Sequence, residues 1–153
     1  MDVDCDGIDY QCKNNPDGQN VTDWGALSAY AVPWVVIPYS FISHPPQRKQ
    51  LAGNNLAVVI CDGQMFYAIF GDSNGDDPEV IGEASWLLAR TCFPEENLDG
   101  GNGHGKADVT YIVFGGDDAV VPDVGWSYVG DFGALRALGD SLVMKLVANL
   151  GFG

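Results

Sequence analysis

A chain of 153 residues suits one domain with a real core, and 46% hydrophobic with 11% aromatic residues excludes a disordered segment. The formal net charge is −14 with only seven Lys plus Arg, which excludes nucleic acid and anionic membrane surfaces as partners by repulsion and favours a cationic one. No apolar run approaches the roughly 18 residues of a membrane span, and the acidic opening Met1–Gly7 lacks the features of a signal peptide.

Residues 1–23, rich in Asp, Asn and Gly, predict a loop-like opening. Asp2, Asp4, Asp6 and Gly7 match the first half of a calcium loop, in which alternating carboxylates face a hard cation. The twelfth position, where an EF-hand needs a bidentate acid, is Lys13. An acidic loop between Cys5 and Cys12 is therefore the stronger expectation, and no metal site is assigned. Asn20-Val21-Thr22 is an acceptor sequon for N-glycosylation. Residues 34–42 read as a strand whose Pro38 puts it at an edge or bend, followed by a polar connector from Ser43 to Gln50.

Residues 56–61 and 64–70 are apolar β-formers around Asp62-Gly63, the clearest hairpin signal in the chain. Asp72 then ends the second strand, a Gly- and Asp-rich loop follows, and Gly82 delivers Glu83 at the start of a helix predicted over 83–92. A Gly/Asn/Asp loop spans 95–107, and a strand is predicted over 109–114. An amphipathic helix covers 131–150, with Asp131 as its N-cap and Leu135, Leu138, Leu142, Leu146 and Leu150 along one face. The sum is a single α+β domain over 1–153, with a small, twisted or barrel-like antiparallel sheet. Four cysteines allow three pairings, of which 5–12 and 61–92 are favoured over buried free thiols. No Cys-x-x-Cys spacing supports a zinc site.

Two carboxylates held at the ends of two rigid elements can flank a glycosidic bond, one protonating the departing oxygen and the other activating water. Asp72 and Glu83 are the candidate pair. At a helix start the macrodipole would favour ionised Glu83, so a general acid there needs burial against Tyr67 or Trp86 to keep its proton. Asp76, Asp77 and Glu79 read as loop charges or as a negative rim for a cationic ligand, and Asn74 as a sugar or loop contact. The four tryptophans and six tyrosines supply stacking platforms or core. His44 and His104 stand alone in polar loops, with no evident nucleophilic triad.

Val58–Tyr67, Gly71–Gly75 and Gly82-Glu83-Ala84-Ser85 resemble the fungal-type chitosanases of glycoside hydrolase family 75. Asp4–Gly7, Cys92–Glu95, Leu98–Gly100 and Gly103-His104 leading to Asp108-Val109 extend the likeness over most of the chain. The resemblance implies a secreted, monomeric enzyme that cleaves β-1,4 bonds of chitosan or glucosamine oligosaccharides by inversion, without a cofactor. It implies Asp72 as general base and Glu83 as general acid, or the exchanged roles, with Asp76 a rival for the aspartate role; Asn74, Asp76, Tyr67, Trp86 and His104 are the candidate substrate contacts. It also implies a double-psi-like β-barrel with flanking helices. Relatives carry a segment upstream of Asp4-Cys5-Asp6-Gly7, so a trimmed chain is one expectation. A non-catalytic module that binds cationic polysaccharide is the alternative, and a calcium-stabilised extracellular domain a third reading.

Overall fold

The computed structural model describes residues 1–152. Its centre is the expected hairpin. Asp62 and Gly63 both take positive φ, 46° and 69°, as a two-residue primed turn demands. They join β3 (Leu56–Cys61) to β4 (Gln64–Asn74), paired antiparallel from Leu56 opposite Ile69 to Cys61 opposite Gln64.

β4 continues past Phe70, because it gains a second partner there. β2 (Trp34–Pro38) runs parallel to it, with Val36 opposite Asp72 and Pro38 opposite Asn74. Asp72 therefore lies inside a strand, hydrogen-bonded into a sheet on which its position is fixed. Two three-residue strands complete this side. β1 (Asp2–Asp4) pairs parallel with β5 (Glu83–Ser85), and β5 meets β2 antiparallel at Ala84 opposite Val35. β6 (Thr110–Val113) covers the other edge, against β3.

The α+β class holds, but the sheet is open and mixed, in the order β1-β5-β2-β4-β3-β6. A small antiparallel barrel is not formed among the described residues: β1 and β6 are the free edges. Two of the five pairings are parallel, which requires crossovers in place of hairpins. The strands at the β1 edge are also too short to curl back to β6.

Three helices differ from the sequence reading. α1 (Tyr39–Ser43) begins directly after Pro38, where a strand was expected, and α2 (Gln47–Gln50) lies in the polar connector. α3 covers only Trp86–Cys92. Its N-cap is Ser85, whose Oγ accepts from Leu88 N–H at 3.3 Å and from Trp34 N–H at 3.2 Å, so Glu83 precedes the helix and belongs to β5. α4 (Phe132–Asn149) is capped as expected by Asp131, which accepts from the N–H groups of Gly133 and Ala134. It packs on β3 and β4. Gly139 makes that close approach possible: a Cβ there would lie 2.6 Å from the Tyr67 ring. Trp34, Phe70, Leu27, Leu56, Ile69 and Leu88 fill the core. Both favoured disulfides are present, Cys5–Cys12 and Cys61–Cys92, and the second ties α3 to the end of β3.

Candidate active site

β2 separates the strands that carry the two predicted acids. Val36 lies opposite Asp72 on β4, and Val35 opposite Ala84 sets Glu83 beside Val36 on β5. Asp72, Val36 and Glu83 thus form a row across three strands. Two strand spacings put the outer backbones roughly 9–10 Å apart. All three line one polar cleft of about 150 Å³, together with Asp4, Asp6, Asn15, Asp17, Gln19, Asn74 and Asp76.

Each carboxyl is held differently. Asp72 is 6% exposed, and its Oδ1 accepts from the backbone N–H groups of Ser73 (2.9 Å) and Asp23 (3.0 Å). Burial pushes it up to about 8, helped by the Asp4 and Asp23 charges, while those two N–H donors pull the other way. Glu83 is half-buried, and its Oε2 has no hydrogen-bond partner. Burial first, then the Asp4 and Asp2 charges, raise it to about 8 against a modest opposing effect of the Asn74 amide. Tyr111 fixes its backbone: the phenol donates to the carbonyls of Gly82 and Glu83, both at 3.1 Å. Burial holds that phenol well above its ordinary range, so it remains a donor at any working pH.

Asp4 shares the cleft, and its charge acts on both acids. Its Oδ2 accepts from Trp34 Nε1 and its Oδ1 from Asp6 N–H, both at 2.8 Å, and burial raises it above the usual carboxylate range. Asp6 is raised to about 6, again mainly by burial, with its Oδ1 on Gln19 N–H. Asp4, Asp6 and Asp72 each offer an oxygen within 4.8 Å of the others, close enough for each charge to raise its neighbours. The cleft wall is thus lined by carboxyls whose protons burial favours, and it is tightly hydrogen-bonded at its base.

A profile of the fungal chitosanases of glycosyl hydrolase group 75 matches residues 1–145. The chain belongs to this family. It is 59% identical over 155 residues to "Endo-chitosanase C" of Aspergillus oryzae, a match that takes in all of this chain and 40% of that protein. "Endo-chitosanase B" of Aspergillus oryzae is 38% identical over 167 residues, covering 97% of this chain and 68% of the relative. "Endo-chitosanase" of Aspergillus fumigatus is 36% identical over 166 residues, covering 97% and 69%. The chain therefore spans about two fifths of the length of the Endo-chitosanase C sequence it matches.

In this family 75 chain the cleft gathers Asp72, Glu83, Asn74 and Asp76. Asn74 organises the loop between the acids: its Oδ1 accepts from Asp76 and Val80 N–H groups, both at 3.1 Å, and its amide donates to Asp76 Oδ2 at 3.2 Å. Three other predicted contacts lie off the cleft lining. Tyr67 donates to Asp140 of α4 at 2.7 Å, because its strand face is the one α4 covers. Trp86 packs edge-on against Tyr30, with Arg90 over its ring. His104 is 7% exposed, stacked on Phe93, with Glu96 on Nδ1 and Asp108 on Nε2.

The sequence reading missed Asp4 and Asp6 as cleft residues. Their alternation was visible, but it was read as a loop, since a three-residue strand is stabilised only by pairing with β5 far along the chain. Asp17, Asn15 and Gln19 carried no signal beyond the polarity of residues 1–23.

Proposed function

We propose that this chain carries the hydrolytic site of an endo-acting chitosanase that inverts at the anomeric carbon. The observation that carries the reading is the convergence of Asp72 and Glu83 on one anionic cleft from strands on either side of β2. Two strand spacings, roughly 9–10 Å at the backbone, leave room for the ~6.5–9.5 Å between carboxyls that inversion uses to admit a water.

Glu83 is the general acid. Its Oε2 is buried without a hydrogen-bond partner, and burial with the Asp4 and Asp2 charges outweighs the opposing Asn74 amide, so it keeps a proton for the departing glycosidic oxygen. Asp72 is the general base. Two backbone donors on Oδ1 orient it and leave Oδ2 free to take a proton from water. A base must be ionised, and in the empty cleft burial opposes that. The substrate supplies the remedy: a glucosamine ammonium brought into the cleft favours the carboxylate, and Asp72 ionises as the polymer binds. Asp4, Asp6 and Asp76 hold further ammonium groups along the cleft.

The anionic surface draws a cationic polymer in and gives nothing to neutral chitin. Two disulfides favour an oxidising, extracellular setting, and no helix among the described residues is long and apolar enough to cross a membrane. The chain acts as a monomer, since the residues lining the cleft all come from one copy.

Proton NMR of a glucosamine oligomer digest tests the stereochemistry. Inversion gives the α-anomer first, with β appearing later by mutarotation. β-Anomer as the first product would refute the base role of Asp72.

A further inference from the structure

We propose that the pocket beside Asp72, walled by Asp23, Trp24, Tyr39 and Arg48, is a second sugar subsite, and that Asp23 both positions Asp72 and binds the ammonium of the glucosamine unit seated there. The inference rests on the chitosanase reading and extends it to residues outside the cleft.

Asp23 is the link between the two spaces. Its backbone N–H donates to Asp72 Oδ1 at 3.0 Å, and its Oδ2 accepts from Ser73 Oγ. It therefore grips Asp72 and the residue after it from outside the sheet. Its side chain is exposed, its Oδ1 accepts no hydrogen bond among the described residues, and it lines the neighbouring pocket. A carboxylate with one oxygen anchored and one free is well made to receive an ammonium.

The pocket measures about 260 Å³, just under the ~300–1,000 Å³ typical of drug-sized ligand sites, which suits one pyranose ring. Its aromatic walls are fixed. The Trp24 indole is held edge-on by Phe70, with ring centroids 4.6 Å apart, and is backed by Gly53, where a Cβ would fall 2.2 Å from the ring. Tyr39 opens α1, immediately after Pro38, whose partner on β4 is Asn74 of the main cleft. It is 59% exposed and stacks on no other ring among the described residues. α1 is in turn tied to the loop between the two acids, since Glu79 accepts from the backbone N–H (2.7 Å) and the hydroxyl of Ser40.

An aromatic ring free on one side, beside a free carboxylate, fits the apolar face and the amino group of one sugar. Arg48 sets the direction. It forms no ion pair among the described residues and would repel an ammonium, so the amino group faces Asp23 and the hydroxyls face the guanidinium.

The test is binding of a glucosamine hexamer, measured by calorimetry on Glu83→Gln, where turnover is blocked. Adding Tyr39→Ala or Asp23→Asn should weaken binding about tenfold. Tyr39→Phe, which keeps the stacking face, should bind as the Glu83→Gln parent does. Asp23→Asn retains an oxygen for Ser73, so it removes only charge, and its effect should shrink in high salt. With Glu83 restored, Ser73→Ala releases the Asp23 carboxylate as well as the residue after Asp72, so it should both lower kcat and raise KM. Hexamer affinity within twofold in both Tyr39→Ala and Asp23→Asn would overturn the subsite. Strong binding without any turnover by the unmodified protein would count against the chitosanase reading and leave the subsite standing.

Discussion

Replacing Asp72 by Asn should stabilise the protein at pH 8 while destroying its activity. Burial and the neighbouring Asp4 and Asp23 charges raise Asp72 from its ordinary 3.8 to about 8, so the folded state binds more protons than the unfolded chain between those values. Stability from this group is fully present below pH 4 and is lost as pH climbs toward 8. At 1.36 kcal/mol per pH unit the upper bound of that loss is roughly 5–6 kcal/mol. Asp72 titrates together with the neighbouring carboxyls, so only part of that bound, on the order of 2–3 kcal/mol, is assigned to it. The Asn carbonyl still accepts from Ser73 and Asp23, so the substitution removes the charge and keeps the geometry. For a domain of this size the expected gain in Tm is roughly 4–12 °C at pH 8, with little gain at pH 4. Calorimetric melts of both proteins at the two pH values check it. Equal Tm differences at the two pH values, or a lower Tm for Asp72→Asn at pH 8, would refute the claim that the site stores strain as buried negative charge.

Three further outcomes follow from the same geometry. Tyr111→Phe removes the donor shared by the Gly82 and Glu83 carbonyls and should cost about 1–3 kcal/mol in denaturant melts, with a several-fold fall in kcat as Glu83 loses its anchor. Replacing Cys61 and Cys92 by Ala opens a 31-residue loop and should cost about 3–4 kcal/mol, read as a lower Tm under oxidising conditions, where Cys5–Cys12 stays closed. Raising salt from 0.1 to 1 M shortens the screening length from about 10 to 3 Å, so KM for chitosan should rise steeply while kcat changes little.

Local signals in the chain were read correctly where local chemistry decides the structure. Asp62-Gly63 specifies a primed turn whatever surrounds it, and Asp131 caps α4 with its own side chain. Where distant pairing decides, the sequence was silent. Glu83 reads as a helix residue because Trp86–Cys92 follows it, but parallel pairing of residues 83–85 with residues 2–4 wins, and Ser85 takes the cap. The capping preference of Ser was the available signal. Pro38 was read as a bend inside a strand, whereas it ends β2 and lets α1 begin, with Ser40 engaged by Glu79 some 39 residues on. Asp72 and Glu83 were legible as acids in rigid contexts. That Asp4 joins them in one cleft, and that Asp23 grips one of them, depends on crossovers that no local pattern records.

The most direct measurement is reducing-end release from soluble chitosan at mildly acidic pH by the unmodified protein, Glu83→Gln and Asp72→Asn, each checked for an intact fold. The account predicts turnover by the first and a loss of 10²-fold or more in each variant, the scale on which general acids and bases act. Either variant retaining more than about a tenth of the activity would contradict the assignment of that residue, since such groups contribute about 10²–10⁴-fold.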